Sequence, residues 1–293
     1  GANLLEPLTG RLEIYNHAAH LIEDTNFKAI LMELMLPILL FAGAMSMNAD
    51  YFKKHAYSIL TLAFFSTAAS TLLIGYGFYY VMQFTGVTID LVHCLLFGAL
   101  ISPTDPVAVV GLVKQSNLSP DIEAKIAGES LFNDGIGIVI FLSIYQLAFE
   151  GSEALSPSTF AAHFCYDAIG GSIIGIITGR LCQKLMSIEK SNTHNHTLIS
   201  IFIVTGVYTL TNTLSMSGPL AVVVCGLMMA QHTGQNSEHF HPLKHFWESL
   251  EEILNMLLYL LIGFEAFLIP FSYLTLSIMA SSITLALLSR IIT

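Results

Sequence analysis

The sequence predicts an all-α polytopic membrane protein, and three features of the chain lead to this prediction. Of its 293 residues, 54% are apolar and only 11% are charged, about half the charged fraction of an average soluble domain. The apolar residues fall into runs that are each close to the roughly 20 residues that a helix needs to span hydrocarbon. Between these runs, most basic residues occupy every second connection.

Nine apolar runs are predicted to be membrane spans, and residues 1–27 before them are predicted to form a polar loop with a short surface helix. The runs cover about 28–47, 56–83, 91–113, 126–149, 164–183, 196–213, 217–231, 247–268 and 270–293. Because the connections between them are short, we expect one membrane domain across residues 1–293.

The basic residues predict the orientation of the spans. Eight of the eleven lie in alternate connections: Lys53, Lys54, Lys114, Lys125, Arg180, Lys184, Lys190 and Lys244. The intervening connections, around residues 85–90, 150–159, 212–217 and 268–270, contain no Lys or Arg. The positive-inside rule makes the basic connections cytoplasmic, and we expect the plasma membrane as the location. A net charge of -10 without a basic stripe excludes a nucleic-acid-binding protein.

The third run is interrupted by Ser102-Pro103-Thr104-Asp105-Pro106. Each proline removes an amide donor and clashes with the preceding turn, so the helix must unwind here. Unwound backbone at membrane depth is tolerated where it is buried in protein or lines a wet cavity, and transporters bind ions at such breaks. Asp105 can neutralise the positive end of the half-helix that follows, and the freed carbonyl of Thr104 can coordinate an ion. A simple proline kink is the alternative, but it leaves Asp105 unexplained.

The fourth run begins with a polar cluster, Gly128-Glu129-Ser130-Leu131-Phe132-Asn133-Asp134. Ionisable groups at this depth are expensive and usually functional. Ser130 and Asp134 are four residues apart and share one helix face, where they could bind a cation such as sodium. A buried carboxylate that holds either a proton or a cation would behave as an exchanger. The alternatives are a structural Asp134 that caps a neighbouring helix and a Ser130 that bonds its own helix.

Glu129 and Asn133 share the neighbouring face of the same predicted helix. A buried, ionised Glu129 needs a cationic partner. Arg290, deep in the last run, is a buried cation that needs an anionic partner. We expect this pair to hold two spans together, with Asn133 supplying hydrogen bonds without charge.

The other polar residues in and beside the spans carry weaker signals. We interpret Glu33, Asp167 and Glu265 as interfacial or packing residues. The four histidines within residues 232–245 could sense pH or bind a metal, although a solvated loop is the simpler interpretation. Cys94, Cys165, Cys182 and Cys225 have no metal-type spacing and are interpreted as small core residues.

Residues 102–109 followed by residues 128–134 resemble the motifs of the cation:proton antiporters of the sodium/proton exchanger type, above all the bacterial and archaeal branch. The resemblance extends to residues 36–43, 217–226, 246–248 and 261–263. It implies an antiporter fold of thirteen helices with two inverted repeats. The nine runs would match the third to eleventh helices, and a second broken helix would follow residue 293.

The resemblance also implies a core domain that moves against a scaffold, and a role for each residue of the site. The core would comprise about residues 56–149 and 270–293, and the scaffold for a homodimer about residues 164–268. Asp134 would bind the ion or proton with help from Ser130 and the Thr104 carbonyl, Glu129 would pair with Arg290, and Asp105 and Asn133 would support the helix crossing. The resemblance also allows a further ligand from the first run.

The adjacent Asn133 and Asp134 resemble the electroneutral branch of these antiporters. The leading hypothesis is therefore a non-enzymatic antiporter without a cofactor that exchanges sodium, or else lithium or potassium, for protons and serves pH homeostasis. The alternatives are an intramembrane aspartyl protease that uses Asp105 and Asp134 as a shared-proton dyad, and an uncoupled cation channel.

Overall fold

The computed structural model describes residues 30–104, 120–149, 157–188, 193–232, 240–268 and 272–293. A short π-helical stretch, Ile30–Met35, leads into the first of the nine α-helices of this described part. The helices are α1 (Leu36–Ser46), α2 (Ala49–Thr85), α3 (Leu91–Ile101), α4 (Pro120–Phe149), α5 (Pro157–Ile188), α6 (Thr193–Thr213), α7 (Gly218–His232), α8 (Phe240–Leu268) and α9 (Tyr273–Ile292). Each predicted run overlaps one of these helices, which confirms the all-α prediction.

Several helices begin earlier than their apolar runs. Helix α2 begins at Ala49 because the Asn48 side chain caps it, with Asn48 Oδ1 accepting hydrogen bonds from the backbone N–H groups of Asp50 at 3.1 Å and Tyr51 at 3.4 Å. With 37 residues, α2 is about 55 Å long and extends well beyond the hydrocarbon. Helices α4, α5 and α8 also have extra first turns. These turns contain polar residues, which a search for apolar runs leaves out.

The predicted helix break lies at the end of α3. The helix ends at Ile101, and Pro103 and Thr104 are not helical. Asp105 and the rest of the segment up to residue 119 lie outside the described residues. The helix therefore ends just before Pro103, where the sequence predicts a break.

Four segments of the described chain are long and apolar enough to cross a membrane: Asp50–Thr85, Lys125–Gln146, Ala161–Ile188 and Tyr273–Ile292. Ile30–Ser46, Leu91–Ile101 and Gly218–Gln231 are shorter apolar helices. Much of the apolar surface faces outward, as at Ile283 and Leu287 of α9, which are 60% and 62% exposed. Such a surface suits a lipid environment.

The helices pack in two sets. Helix α2 packs against α3, α4 and α9, whereas α7 packs against α1, α5 and α6, and α1 against α8. The sets meet mainly along α4, which also contacts α7, α5 and α1. At this seam Leu131 of α4 lies against Gly43 of α1, and Gly135 of α4 lies against Leu220 of α7.

A stripe of glycines holds α5 close to α7. Gly171 lies against the backbone carbonyl of Ser217, and Gly175 lies against that of Ala221. Because a step of four residues on α5 matches a step of four on α7, the two helices run parallel and in register. Small residues allow this close backbone approach between membrane helices.

Three of the four cysteines are core residues as predicted, because Cys94, Cys182 and Cys225 are buried. The prediction is wrong for Cys165, which is exposed on the first half of α5. An apolar run does not reveal which of its faces packs on a neighbouring helix, so exposure to the surroundings was not visible in the sequence.

Candidate functional site

The backbone just after the end of α3 lies against the middle of α4, and Asn133 joins them. The Asn133 Oδ1 atom accepts a hydrogen bond from the Thr104 N–H at 3.3 Å, while its Nδ2 donates to Thr104 Oγ1 at 2.6 Å. Nδ2 also donates to Glu129 Oε1 at 3.3 Å. Asn133 is completely buried, so its carboxamide satisfies groups that water does not reach.

Ser130 contacts the same residue of the break from one turn nearer the start of α4. Its hydroxyl donates to the backbone carbonyl of Thr104, and the Ser130 Oγ and Thr104 Oγ1 atoms are 3.4 Å apart. Three oxygens, one carbonyl and two hydroxyls, therefore converge at this point. Oxygen donors of this kind suit hard cations.

Asp134 is half-buried and follows Ser130 by one helical turn. At 3.6 residues per turn the two side chains point about 40° apart around α4. Asp134 thus lies between the side of α4 that contacts Thr104 and the side whose Leu131 and Gly135 contact α1 and α7. Asp134 therefore extends from α4 one turn after the hydroxyl that bonds Thr104 and next to the seam between the two helix sets.

Arg290, near the end of α9, reaches the same region. Its guanidinium donates to the backbone carbonyl of Ser102. The carboxylates of Glu129 and Asp134 both attract it electrostatically. The expected partner Glu129 is therefore within electrostatic range, and the direct hydrogen bond of Arg290 goes to the end of α3.

Close packing of α4 on the break depends on Gly137. A Cβ atom at this position would lie only 2.5 Å from Cγ of Pro103, so a larger residue would push the break away from α4. The sequence shows this glycine, but it does not show what Gly137 faces.

Four buried hydroxyls near the break were not singled out from the sequence: Ser70, Thr71, Ser102 and Ser289. Thr71 Oγ1 donates to Ser102 Oγ at 3.1 Å, and the Oγ atoms of Ser70 and Ser289 are 2.7 Å apart. Hydroxyls in membrane helices usually bond their own helix, as Thr67 does with the Ala63 carbonyl at 2.6 Å. The one feature of the sequence that could have indicated such a role is that Ser102 directly precedes a proline in an apolar run.

The remaining predicted residues lie away from this site or outside the described part. Asp105 and His239 are outside it, as are the side chains of Glu265 and His232. Glu33 is exposed, in agreement with an interfacial residue. The backbone carbonyl of Asp167 accepts a hydrogen bond from the Ser217 N–H at 3.1 Å, a packing contact between α5 and the start of α7.

Comparison with known proteins gives concordant matches. The family model described as "Sodium/hydrogen exchanger, transmembrane" matches residues 12–293. The Na(+)/H(+) antiporter NhaP of Pseudomonas aeruginosa is 36% identical, over 93% of this chain and 65% of its own length. The Na(+)/H(+) antiporter NhaH of Halobacillus dabanensis is 30% identical, over 82% of this chain and 59% of its own length.

A solved structure shares the fold. The sodium proton antiporter MjNhaP1 from Methanocaldococcus jannaschii matches with a TM-score of 0.66 and 21% identity, over 83% of this chain and 58% of that one. The chain thus spans less than two thirds of the length of each of these proteins.

Proposed function

The chain belongs to the family of transmembrane sodium/hydrogen exchangers, and on this basis we propose that it contains the ion site of an antiporter that exchanges sodium for protons. The observation that carries the proposal is the convergence of Ser130 and Thr104 oxygens at a helix break, with Asp134 one helical turn after Ser130 on α4. Lithium and potassium are the other candidate cations for the same set of oxygens.

In the proposed cation-bound state, the Asp134 carboxylate, the Ser130 hydroxyl oxygen and the Thr104 carbonyl hold the ion. Ser130 now donates its proton to that carbonyl, so binding requires the hydroxyl to rotate and turn a lone pair to the cation. In the proton-bound state, Asp134 is neutral and the cation has left. One carboxylate then carries one positive charge in either direction, and exchange is electroneutral.

We further propose that the two helix sets move against each other. The core set is α2, α3, α4 and α9, and the scaffold set is α1 and α5 to α8. The core set is drawn from the expected core, about residues 56–149 and 270–293, and the scaffold set from the expected scaffold, about residues 164–268, with α1 added. Support comes from the sparse contacts between the sets and from the position of Asp134 beside their seam.

Glu129 and Arg290 are proposed to stabilise the core set by holding α4 and α9 together. The electrostatic attraction between them and the hydrogen bond from Asn133 to Glu129 support this role.

A plasma-membrane location with the end of α1 and the start of α2 in the cytoplasm, and a homodimer built on the scaffold set, complete the proposal. They rest on the basic residues and on the family.

Family membership argues against the two alternatives. The relatives described above are antiporters by name, which favours neither an aspartyl protease nor an uncoupled channel.

The test is sodium-driven collapse of an imposed proton gradient in vesicles that contain the full-length protein. Asp134→Asn removes the titrating carboxylate and should abolish the response, while Asp167→Asn, another half-buried aspartate in a span, should keep it. Both variants should purify like the wild type. Sodium-driven exchange that persists in Asp134→Asn would refute the proposal.

A voltage clamp with potassium and valinomycin tests the stoichiometry in the same vesicles. An electroneutral exchanger gives the same rate at zero voltage and at a voltage of either sign. A rate that follows the voltage would show that the one-for-one stoichiometry is wrong.

A further inference from the structure

Two pairs of buried hydroxyls join α2 to its neighbours close to the break. Ser70 pairs with Ser289 of α9, and Thr71 pairs with Ser102 at the end of α3. All four side chains are at most 2% exposed. Arg290 directly follows Ser289 and donates to the Ser102 carbonyl, so α2 and α9 each contact Ser102, through Thr71 and Arg290.

The two prolines of the break explain why side chains are needed here. In a continuous helix, the N–H of residue 103 would donate to the Ala99 carbonyl and the N–H of residue 106 to the Ser102 carbonyl. Proline has no N–H, so both carbonyls lose their donors. Buried carbonyls without a donor are costly, and side chains supply the missing hydrogen bonds.

Each carbonyl has found a substitute donor. The Ser102 hydroxyl donates to the Ala99 carbonyl at 3.2 Å, and the Arg290 guanidinium donates to the Ser102 carbonyl. A cation at the C-terminal end of a helix also interacts favourably with the helix dipole. The end of α3 is therefore capped by side chains from α3 itself and from α9.

Thr71 completes this cap from α2. Its Oγ1 donates to Ser102 Oγ, which in turn donates to the Ala99 carbonyl. Hydrogen bonds in such a chain strengthen one another, and the chain fixes the Ser102 hydroxyl in one rotamer. Ser102 lies only two residues before Thr104, whose carbonyl faces Ser130.

We propose that Thr71 is a positioning residue for the cation site, which holds Ser102 and thereby sets the place of the Thr104 carbonyl relative to Ser130. This inference rests on the proposed function, because it assigns Thr71 a role in binding the transported cation. Thr71 does not touch the cation and acts through Ser102.

The experiment compares Thr71→Val with Thr67→Val in the full-length protein. Both threonines are buried on α2 one turn apart, but Thr67 bonds only its own helix in the contact described. We expect Thr71→Val to raise the KM for sodium five- to tenfold with a maximal rate within twofold of the wild type. Thr67→Val should leave both parameters within twofold.

A second readout does not depend on transport. Sodium that binds the folded protein should raise its Tm by an amount that grows with the logarithm of 1 + [Na+]/Kd, and this rise should be smaller for Thr71→Val at each sodium concentration. The Tm without sodium should match that of Thr67→Val. Thr71→Ser keeps the hydroxyl and should restore the sodium response; equal loss in Thr71→Ser would overturn the proposal.

Ser102→Ala tests the same contact from its other side and keeps the proposal testable if Thr71→Val folds poorly, because an unchanged KM for sodium in Ser102→Ala would overturn it. Ser102→Ala removes the hydroxyl that Thr71 contacts and should itself raise the KM for sodium. Adding Thr71→Val to Ser102→Ala should have no further effect, because residues that act through one contact are not additive. Additive effects on KM would overturn the role of the Thr71–Ser102 contact.

The possible failures are distinguishable. A wild-type protein that shows neither sodium-driven exchange nor a sodium-dependent Tm overturns the proposed function and this inference with it. A wild type that exchanges sodium while Thr71→Val and Thr67→Val behave alike overturns the inference and leaves the proposed function intact.

Discussion

At the residue scale, Asn133 is the side chain that joins the two elements of the proposed ion site. A carboxamide has both a donor and an acceptor, and Asn133 uses them on the N–H and the hydroxyl of one residue, Thr104. An aspartate at this position would be unable to donate to that hydroxyl when ionised. The neutral Asn133 therefore fits a site with a single titrating carboxylate, Asp134.

Ser130 is expected to act as a cation ligand. Ser130→Ala removes one oxygen from the site, which should cost about 1 kcal/mol of binding free energy and raise the KM for sodium roughly fivefold. Ser143→Ala is the control, because Ser143 is a buried serine on the same helix that bonds the Val139 carbonyl at 2.8 Å. Equal KM values in the two variants would show that Ser130 contributes packing and is not a ligand of the cation.

Glu129 and Arg290 are expected to depend on each other for stability. Glu129→Gln or Arg290→Gln alone leaves one charge without its partner, so each should lower the Tm in detergent. The double variant should lose less than the sum of the single losses. A Tm loss in the double variant equal to the sum of the two single losses would contradict the proposed interaction between Glu129 and Arg290.

At the element scale, the break after α3 can pack closely on α4 because α4 has a glycine, Gly137, where Pro103 approaches it. Gly137→Ala places a Cβ atom 2.5 Å from Pro103 Cγ and should lower the free energy of unfolding by about 1–3 kcal/mol. Gly206→Ala is the control, since a Cβ there meets nothing within 4 Å.

The control should instead gain about 0.5–1 kcal/mol, because alanine favours a helix over glycine. Thermal unfolding in detergent measures both variants. A Gly137→Ala protein as stable as the wild type would show that the break can move away from α4 without loss.

The elements differ in how far the sequence predicts them. Pro103 and Pro106 predict the end of α3 because missing donors are a property of the residue itself. The family resemblance implies that Asn133 supports the helix crossing, but it does not identify Thr104 as the partner. The Thr71–Ser102 contact was not predictable, because an inward hydroxyl that bonds a neighbouring helix and one that bonds its own helix look alike in a sequence.

At the scale of the whole molecule, exchange is expected to require movement at the seam between α4 and α7. In a protein without its native cysteines, a disulfide between Gly135→Cys and Leu220→Cys should block exchange at least tenfold, and reduction should restore it. A Cβ at Gly135 lies 3.4 Å from Leu220 Cγ, so the two sulfurs can meet.

The matched control is a disulfide inside the core set, between Gly77→Cys of α2 and Leu285→Cys of α9. A Cβ at Gly77 lies 3.5 Å from Leu285 Cγ, nearly the same geometry. This disulfide should leave the exchange rate within twofold. Equal inhibition by the two disulfides would mean that the two sets do not move as separate units.

The most direct test of the central claim is the pH dependence of the KM for sodium in vesicles that contain the full-length protein. If sodium and a proton compete for Asp134, each unit of acidification below neutral should raise the KM, approaching about tenfold per unit by linkage of one proton. The maximal rate should stay constant across the same range. A KM that does not change with pH, while the maximal rate falls on acidification, would contradict competition at a single carboxylate.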